Sequence, residues 1–505
     1  AEGNFSTFAN GSTNTLYEDT LNTGVTDFVF YLYIDGNEEN NLNMMNKQLN
    51  GTLKVTTESS PVNFASYVDA KYSTSTKTVV TNNNISYNYV PSLSLINDKQ
   101  GGTALDEDGN IRYYGASPNN YVYFNFDEED ELKSIFETNK NPNRIIELLS
   151  MISDEKIEPE KTLIIFDEIQ ECPEALNTLK YFKEKANEYH VITAGSLLGT
   201  LLAKPKSYPV GMVNLLDIYP LTFDEFLNAI DSGLYAYYES IQKEQVIEQI
   251  FHQRLLDAYN YYLIIGGMPE CVSSWIKYKD PAMISKIQRE LIEVYENDFS
   301  KHNGKVNSGR ILMVFRSIVS QLAKPNEKFM YGAVREGARA RDFEEAIEWL
   351  VSAGMLNRVY NVSKMEHPLS AFDKLDQFKL FVFDTGLLKQ MAGVDNSAIL
   401  LRTDYQFKGP LTENYVLQQL QGQFEVEPRY YSDKNGEIDF VVQNKMEIIP
   451  IEVKGGEDRS ANSFKTYVAN NAPQHAYRFS KRGYRKDGDF TNLPLYLVRK
   501  TKDLL

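Results

Sequence analysis

Two groups of charged side chains in this 505-residue chain stand at spacings suited to metal-assisted phosphate chemistry. In the first, LIIFDEIQE from Leu163 to Glu171, four apolar residues run into Asp167 and Glu168. This is the pattern of a buried parallel strand with acids at its C-terminal end. Such a pair can hold Mg2+ and polarise an attacking water, provided a phosphate-binding loop lies beside it. The second group lies near the end of the chain: Glu413 in TENYVLQQL, Glu437 and Asp439 in GEIDFVV, and Glu452 and Lys454 in IEVKGG. Strand alternation puts Glu452 and Lys454 on one face, with Asp439 approaching from a hairpin neighbour. Phosphodiester hydrolysis by this layout uses carboxylates to hold Mg2+ or Mn2+ and an amine to position or activate water. A solvated strand end is the plain alternative for the first group, and a retained scaffold or binding surface for the second.

The loop that the first group needs, G-x-x-x-x-G-K-[S/T], is absent from the chain. Backbone amides plus a lysine form that cradle. Upstream of Tyr121, Gly101 and Gly102 are followed instead by Asp106, Glu107 and Asp108, which would repel a triphosphate.

Composition narrows the remaining classes. A formal charge of -17 argues against a generally basic nucleic-acid binder, while leaving room for a local basic patch. Two cysteines, Cys172 and Cys271, supply neither a disulfide framework nor a cysteine zinc cluster, and five scattered histidines argue against a histidine metal site. No run approaches the roughly 18 apolar residues of a membrane span. AEGNFSTFANG at the start is not a signal peptide, so the body is expected in the cytoplasm.

The first 118 residues form a segment of their own. Residues 1–120 hold 19 Asn and only six Lys or Arg, and short apolar runs such as FVFYLYI alternate with Asn-rich turns, as in a β-rich or partly disordered segment. DEDGNIRYYGASPNNYVYFN, Asp106 to Asn125, resembles a motif of repetitive surface and secreted proteins of low-GC bacteria. That resemblance implies a junction near residue 120 and leaves open a surface-associated, protein-binding role.

From Tyr121 strand and helix alternate at βαβ spacing: YVYFNF, a helix through about Phe136, a helical Ile145 to Ser153, the acidic strand, a helix near Ala175 to Lys185, and YHVITAGS. A parallel sheet with helices on its faces is the natural fold. Phe124 to Leu504 resembles a broad family of prokaryotic AAA-type ATPases with a C-terminal domain of unknown function and a nuclease-like fold. The landmarks are YFNFDEEDELKSIF, LIIFDEIQECPEALNTLKYFKE, YHVITAGSLLG, SYPVGMVNLLDIYPLTFDEFL, GGMPECV, EIDFVV and IEVKGG. The resemblance implies Asp167 as the Mg2+ carboxylate, Glu168 as the water-activating base and Ser196 as the sensor of the γ-phosphate of ATP. It also implies a first strand, here missing, between the strand of the acidic pair and the LLDIYP segment. Asn88 to Ile96 is a candidate filler. The second group resembles the PD-(D/E)xK nuclease core, with Asp439, Glu452 and Lys454 as its signature and Glu413 as an auxiliary metal ligand.

The expected multidomain α/β chain thus runs as an Asn-rich segment (1–118), an incomplete AAA-type P-loop NTPase sheet (119–235), a helical connector (236–309), a winged-helix-like domain (310–400) and a restriction-endonuclease-like domain (401–505). Charged RELIEVYENDFSKH is expected to end a helix near His302, before a separate amphipathic ILMVFRSIVSQL. Arg335, Arg339 and Arg341 give the winged-helix segment a modest positive edge for DNA, offset by Glu336, Asp342, Glu344 and Glu345; packing against protein is the alternative. Ser463, Arg478 and Lys481 are candidate phosphate contacts, and Asp384 reads as a helix cap.

Overall fold

The computed structural model describes residues 28–34, 42–49, 121–195, 212–214, 218–324, 328–402, 405–434, 436–456 and 462–505. They fall into two units, Ala1–Asp217 and Ile218–Leu505.

In the first unit, β1 (Phe28–Ile34) and β2 (Leu42–Leu49) form an antiparallel pair. There follow β3 (Tyr121–Asn125), α1 (Asp130–Thr138), α2 (Pro142–Ser153), β4 (Leu163–Asp167), α3 (Pro173–Lys185) and β5 (His190–Thr193). Strands β3, β4 and β5 make a parallel sheet in that order. Alternation in β3 buries Val122 and Phe124 and leaves Tyr121 and Tyr123 about half exposed, so the edge strand has one covered face. Under the helices the rings of Phe126, Phe136 and Phe166 meet at 5.4 to 5.6 Å. Truncating one of these buried rings should cost about 3–5 kcal/mol. Helix α2 starts where Asn141 accepts the Asn143 N–H at 3.1 Å and Pro142 fills the first turn.

One expectation is corrected here. The acidic strand β4 is paired on both sides, by β3 and β5, so no vacancy lies beside it. Among the described residues the sheet's two open edges belong to β3 and β5, whose register partners all lie in β4. Asn88 to Ile96 lies outside the described residues.

The second unit opens with helices α4 (Phe223–Ile230), α5 (Ser232–Ser240), α6 (Gln249–Ile265), α7 (Pro269–Tyr278) and α8 (Pro281–Leu322). Helix α8 is continuous over 42 residues, about 60 Å at 1.5 Å per residue. The helix end expected near His302 is therefore not there, and the boundary expected at 309/310 falls inside the helix. No proline interrupts this stretch after Pro281, and Ile284, Phe299, Ile311, Val314, Phe315 and Ile318 are all buried in one core. Shared burial of that stripe outweighs the helix-weakening Gly304 and Gly309.

After α8 come α9 (Tyr331–Val334), α10 (Ala340–Ser352), β6 (Leu356–Val362), β7 (Asp373–Val382), α11 (Thr385–Met391), α12 (Asn396–Leu400) and α13 (Lys408–Leu420). The chain then forms β8 (Val426–Asp433), β9 (Gly436–Asn444), β10 (Glu447–Val453), α14 (Asn462–Asn471), β11 (Tyr477–Ser480), β12 (Arg485–Asp487) and β13 (Phe490–Pro494). All eight strands from β6 onward join one mixed sheet in the order β12-β13-β11-β10-β9-β8-β6-β7. The hairpin β6–β7 is sewn on by Asn361 opposite Tyr430 and Val362 opposite Tyr431. Residues expected in two domains, on either side of residue 400, thus share a sheet. Tyr415, Val416 and Leu417 of α13 share a core with Phe440, Val442, Ile449 and Ile451, whereas Phe464 and Val468 of α14 share another with Ile438 and Val441.

Candidate functional site

At the C-terminal end of β4, Asp167 Oδ1 accepts the Glu168 N–H at 2.9 Å and Oδ2 accepts the Tyr123 hydroxyl at 2.5 Å. That hydrogen bond to the carboxylate raises the Tyr123 phenol above its ordinary range. Glu168 has a positive φ of 50° and its carboxylate accepts from Gln170 Nε2. The acids therefore sit together where the strand predicts them, but with protein donors facing them. Ser196 lies outside the described residues. The sequence holds no phosphate loop, and at this end of the sheet the Tyr123 hydroxyl donates to Asp167.

The second group is more enclosed. Strands β9 and β10 pair as far as Phe440 opposite Ile451, and Asp439 Oδ2 then accepts the Val453 N–H at 2.6 Å. Asp439 is thereby tied to the strand that carries Glu452 and Lys454. Two residues on from Glu452, just past the end of β10, Lys454 Nζ lies 2.5 Å from Glu452 Oε1. Glu452 is 4% exposed, and its other oxygen, Oε2, is buried with no hydrogen-bond partner. Burial raises the Asp439 carboxyl well above its usual range, and the charges of Glu452 and Glu413 add to the rise against Lys454 and Lys379. Burial also raises Glu452, with Lys454 opposing. Burial alone would pull the Lys454 ammonium down, but Glu452 and Asp439 together push it up. Gly455 lets this strand end approach α13: a Cβ there would lie 2.9 Å from Thr412 Oγ1 and 3.1 Å from the Lys408 carbonyl.

Lys379 is the participant that sequence reasoning missed. Its side chain, on β7 and 1% exposed, pairs with Glu437 and lies 3.5 Å from Glu413 Oε2, with its ammonium 5.1 Å from the centre of the Tyr430 ring. A lone lysine in the apolar run KLFVF was the available signal, since a buried cation in a strand must have partners.

Glu413, Asp439, Glu452 and Lys454 are thus all held in the same sheet-and-helix region, but among the described residues no three His, Cys, Asp or Glu side chains are gathered to hold a metal ion. A hard cation needs fewer protein ligands: Mg2+ keeps several waters and binds through one or two carboxylates. The unpartnered, buried Glu452 Oε2 beside Asp439 fits that demand, so these two residues would hold Mg2+ or Mn2+.

Several other candidates are committed elsewhere. Arg478 pairs with Asp487 at 2.6 Å and Asn492 at 2.8 Å and lies over the Phe490 ring. Lys481 reaches Asn260 at 3.4 Å. Ser463 packs beside Gly436, where a Cβ would come within 2.2 Å of Ser463 Cβ. On α10 the exposed charged side chains are Arg341, Glu344, Glu345 and Glu348, a net acidic face toward solvent, and Arg335 lies over the Phe343 ring. Asp384 caps α11 by accepting the Leu387 N–H at 2.9 Å, and takes the Gly267 N–H of the GGMPE turn at 2.6 Å.

No helix among the described residues is long and apolar enough to cross a membrane. No curated protein matches the chain. Of the solved structures, protein VC1899 from Vibrio cholerae is similar at 11% identity, over 82% of this chain and 93% of that one, with a TM-score of 0.15, an overlap too poor to transfer a fold. Three families match successive parts of the sequence: an AAA domain over residues 105–227, a domain of unknown function (DUF8612) over 256–398, and a domain of unknown function (DUF4143) over 408–497. The chain carries an AAA-domain-like region followed by two domains of unknown function.

Proposed function

We propose that the C-terminal sheet carries a divalent-metal-dependent phosphodiesterase site acting on nucleic acid, built from Asp439, Glu452 and Lys454. The observation that carries this reading is the buried, unpartnered Glu452 Oε2 beside Asp439, with the Lys454 ammonium fixed on the other oxygen. The resemblance of the grouping to the PD-(D/E)xK nuclease core supports it. Mg2+ or Mn2+ bound there would lower the pKa of a bound water and offset phosphoryl charge. Asp439 is kept from swinging away by the Val453 N–H, so one ligand is preorganised. Glu452 uses one oxygen to hold Lys454, and Lys454, with an ammonium favoured by its acidic neighbours, orients the attacking water and faces the developing charge. The test is a cleavage assay on single-stranded DNA, duplex DNA and RNA with Mn2+ or Mg2+. Cleavage should vanish in Asp439→Asn and Lys454→Ala; no metal-dependent cleavage of any of the three substrates by the wild type sinks the reading.

A second reading concerns the AAA-like region. We infer that it neither binds nor hydrolyses ATP, because the phosphate loop is missing and Asp167 faces the Tyr123 hydroxyl. Titration of the full chain with labelled ATP and Mg2+ tests this, and low-micromolar binding would overturn it.

A further inference from the structure

We propose that the basic run between β11 and β12, with Arg482, Arg485 and Lys486, is the surface on which the C-terminal site holds the phosphate backbone of its nucleic-acid substrate. This rests on the reading of Asp439, Glu452 and Lys454 as a phosphodiesterase site.

In a chain of formal charge -17, the nine residues RFSKRGYRK, Arg478 to Lys486, hold five cations and no acid. Strand pairing brings that run to the site. Strands β10 and β11 are parallel, and the Lys454 N–H donates to the Phe479 carbonyl at 2.8 Å, so the two strands end side by side. Lys481 follows Phe479 by two residues, at most about 7 Å of chain. Lys454 is also where solvent reaches the site, for its side chain is 21% exposed while Glu452 is buried. A phosphate that comes to Lys454 therefore comes in beside the basic run. Register also sets Glu452, Arg478, Asn492 and Arg485 in one row across β10, β11, β13 and β12, so their side chains share a face of the sheet.

The five cations divide by position. Buried Asn492 accepts from Arg478 Nε and Ser480 Oγ at 2.8 Å, and it donates to the carbonyls of Arg482 at 3.3 Å and Gly483 at 3.0 Å, which pins the loop to the sheet. Lys481 reaches Asn260, and Tyr484 packs on the core. Arg482, Arg485 and Lys486 are exposed. Arg485 pairs with Asp487 at 2.5 Å, but that carboxylate is shared with Arg478. Against the five cations stand Asp487, Asp489 in the following turn and Glu244, whose charge acts on Tyr484, so a positive excess remains. Cations on a pinned backbone suit repeated phosphates, whose contacts position a nucleic acid without reading its sequence.

The experiment measures binding of fluorescent single-stranded DNA, duplex DNA and RNA to the full chain by anisotropy in metal-free buffer, and cleavage of the same probes with Mn2+. The triple variant Arg482→Gln, Arg485→Gln, Lys486→Gln should bind about tenfold more weakly or worse, and its slope of log affinity against log salt should be smaller by about 2–3. With Mn2+, KM should rise by a similar factor while kcat stays within about threefold, because the contacts lie away from the reacting bond. Arg482→Lys with Arg485→Lys should restore most of the affinity, since charge is what the phosphates need. A control that loses the same charge elsewhere, Lys277→Gln, Lys286→Gln, Lys364→Gln, should bind like the wild type, as these three are exposed and outside the loop. Unchanged affinity and salt slope in the loop variant, an equal loss in the control, or no binding by the wild type would overturn the role of the loop. Binding that depends on the loop without cleavage of any probe would sink the phosphodiesterase reading and leave the loop as a nucleic-acid surface.

Discussion

Lys454 Nζ lies 2.5 Å from Glu452 Oε1, two positions along the same strand end, so the site's amine is fixed by one of its own acids. Two same-face residues of a strand are spaced for such contact, and burial makes the pair stiff. Charge alone is then not enough for function. Lys454→Arg keeps the positive charge and should stay folded, but a planar guanidinium has different reach and donor geometry from an ammonium. Cleavage should fall by about 10²-fold or more, the lower end of what a positioned proton-handling group supplies. Mn2+ affinity, measured on the same preparation, should change far less than the rate. Equal losses in both would show that Lys454 acts on metal loading instead.

Much of this arrangement is legible in the sequence because its signals are local. The acid-terminated strand, the helices near Ile145 and Ala175, and the Glu452/Lys454 alternation all follow from hydrophobic periods and appear at β4, α2, α3 and β10. What the sequence hides is pairing across distance. Nothing local tells that β6 lies against β8, so Lys379 could not be placed beside Glu413 and Glu437 from spacing alone. Helix α8 differs from the expectation for a related reason: the charged run ending at His302 suggests a helix end locally, while the burial of Phe299 and Ile311 in one core favours a single helix. Ser196 lies outside the described residues, as does the Asn-rich segment apart from β1 and β2, where the apolar run FVFYLYI is a strand.

Asp384 and the GGMPE turn form a structural joint independent of any catalysis. The carboxylate accepts the Leu387 N–H on one oxygen and, on the other, the Gly267 N–H and Gln418 Nε2. Asp384→Ala removes a helix cap worth about 1 kcal/mol and strands a buried amide at about 1–3 kcal/mol. The expected loss is about 3 kcal/mol in urea unfolding of the second unit. Asp384→Asn should not restore it, because an amide group turns a donor toward one of these N–H groups. Gly267→Ala should be similarly damaging, since a Cβ there would sit 2.2 Å from the Leu221 carbonyl oxygen.

In the AAA-like region the hydrogen bond from Tyr123 to Asp167 gives a direct readout. The carboxylate holds the phenol's proton, so the Tyr123 pKa lies above the ordinary value. In Asp167→Asn that pKa should move back toward the ordinary range, followed by nuclear magnetic resonance of labelled tyrosine rings. The same variant should leave metal-dependent cleavage unchanged, because the proposed site draws nothing from Asp167. A matching loss of cleavage would mean that the two regions act together.

Lys389 gives a stability prediction with a definite pH sign. It is 1% exposed on α11, donates to Asn396 Oδ1 at 2.8 Å, and burial lowers its pKa from 10.5 to about 8. The neighbouring Cys271, Asp395 and Asp384 pull the pKa up, and Arg289 pushes it down, but burial outweighs them. Because the folded value lies below the unfolded one, folding expels a proton between these pH values, and stability contributed by the neutral amine is present above about pH 10.5 and lost as pH falls through 8. The full shift corresponds to about 3 kcal/mol, less about 1 kcal/mol for the Asn396 contact that a methionine would forfeit. Lys389→Met should therefore be more stable than the wild type by about 2 kcal/mol at pH 7, and that advantage should disappear toward pH 10.5. Urea midpoints for the two proteins at pH 7, 9 and 10.5 decide it. An advantage that grows with pH would mean that Lys389 is charged and fully satisfied in the folded unit.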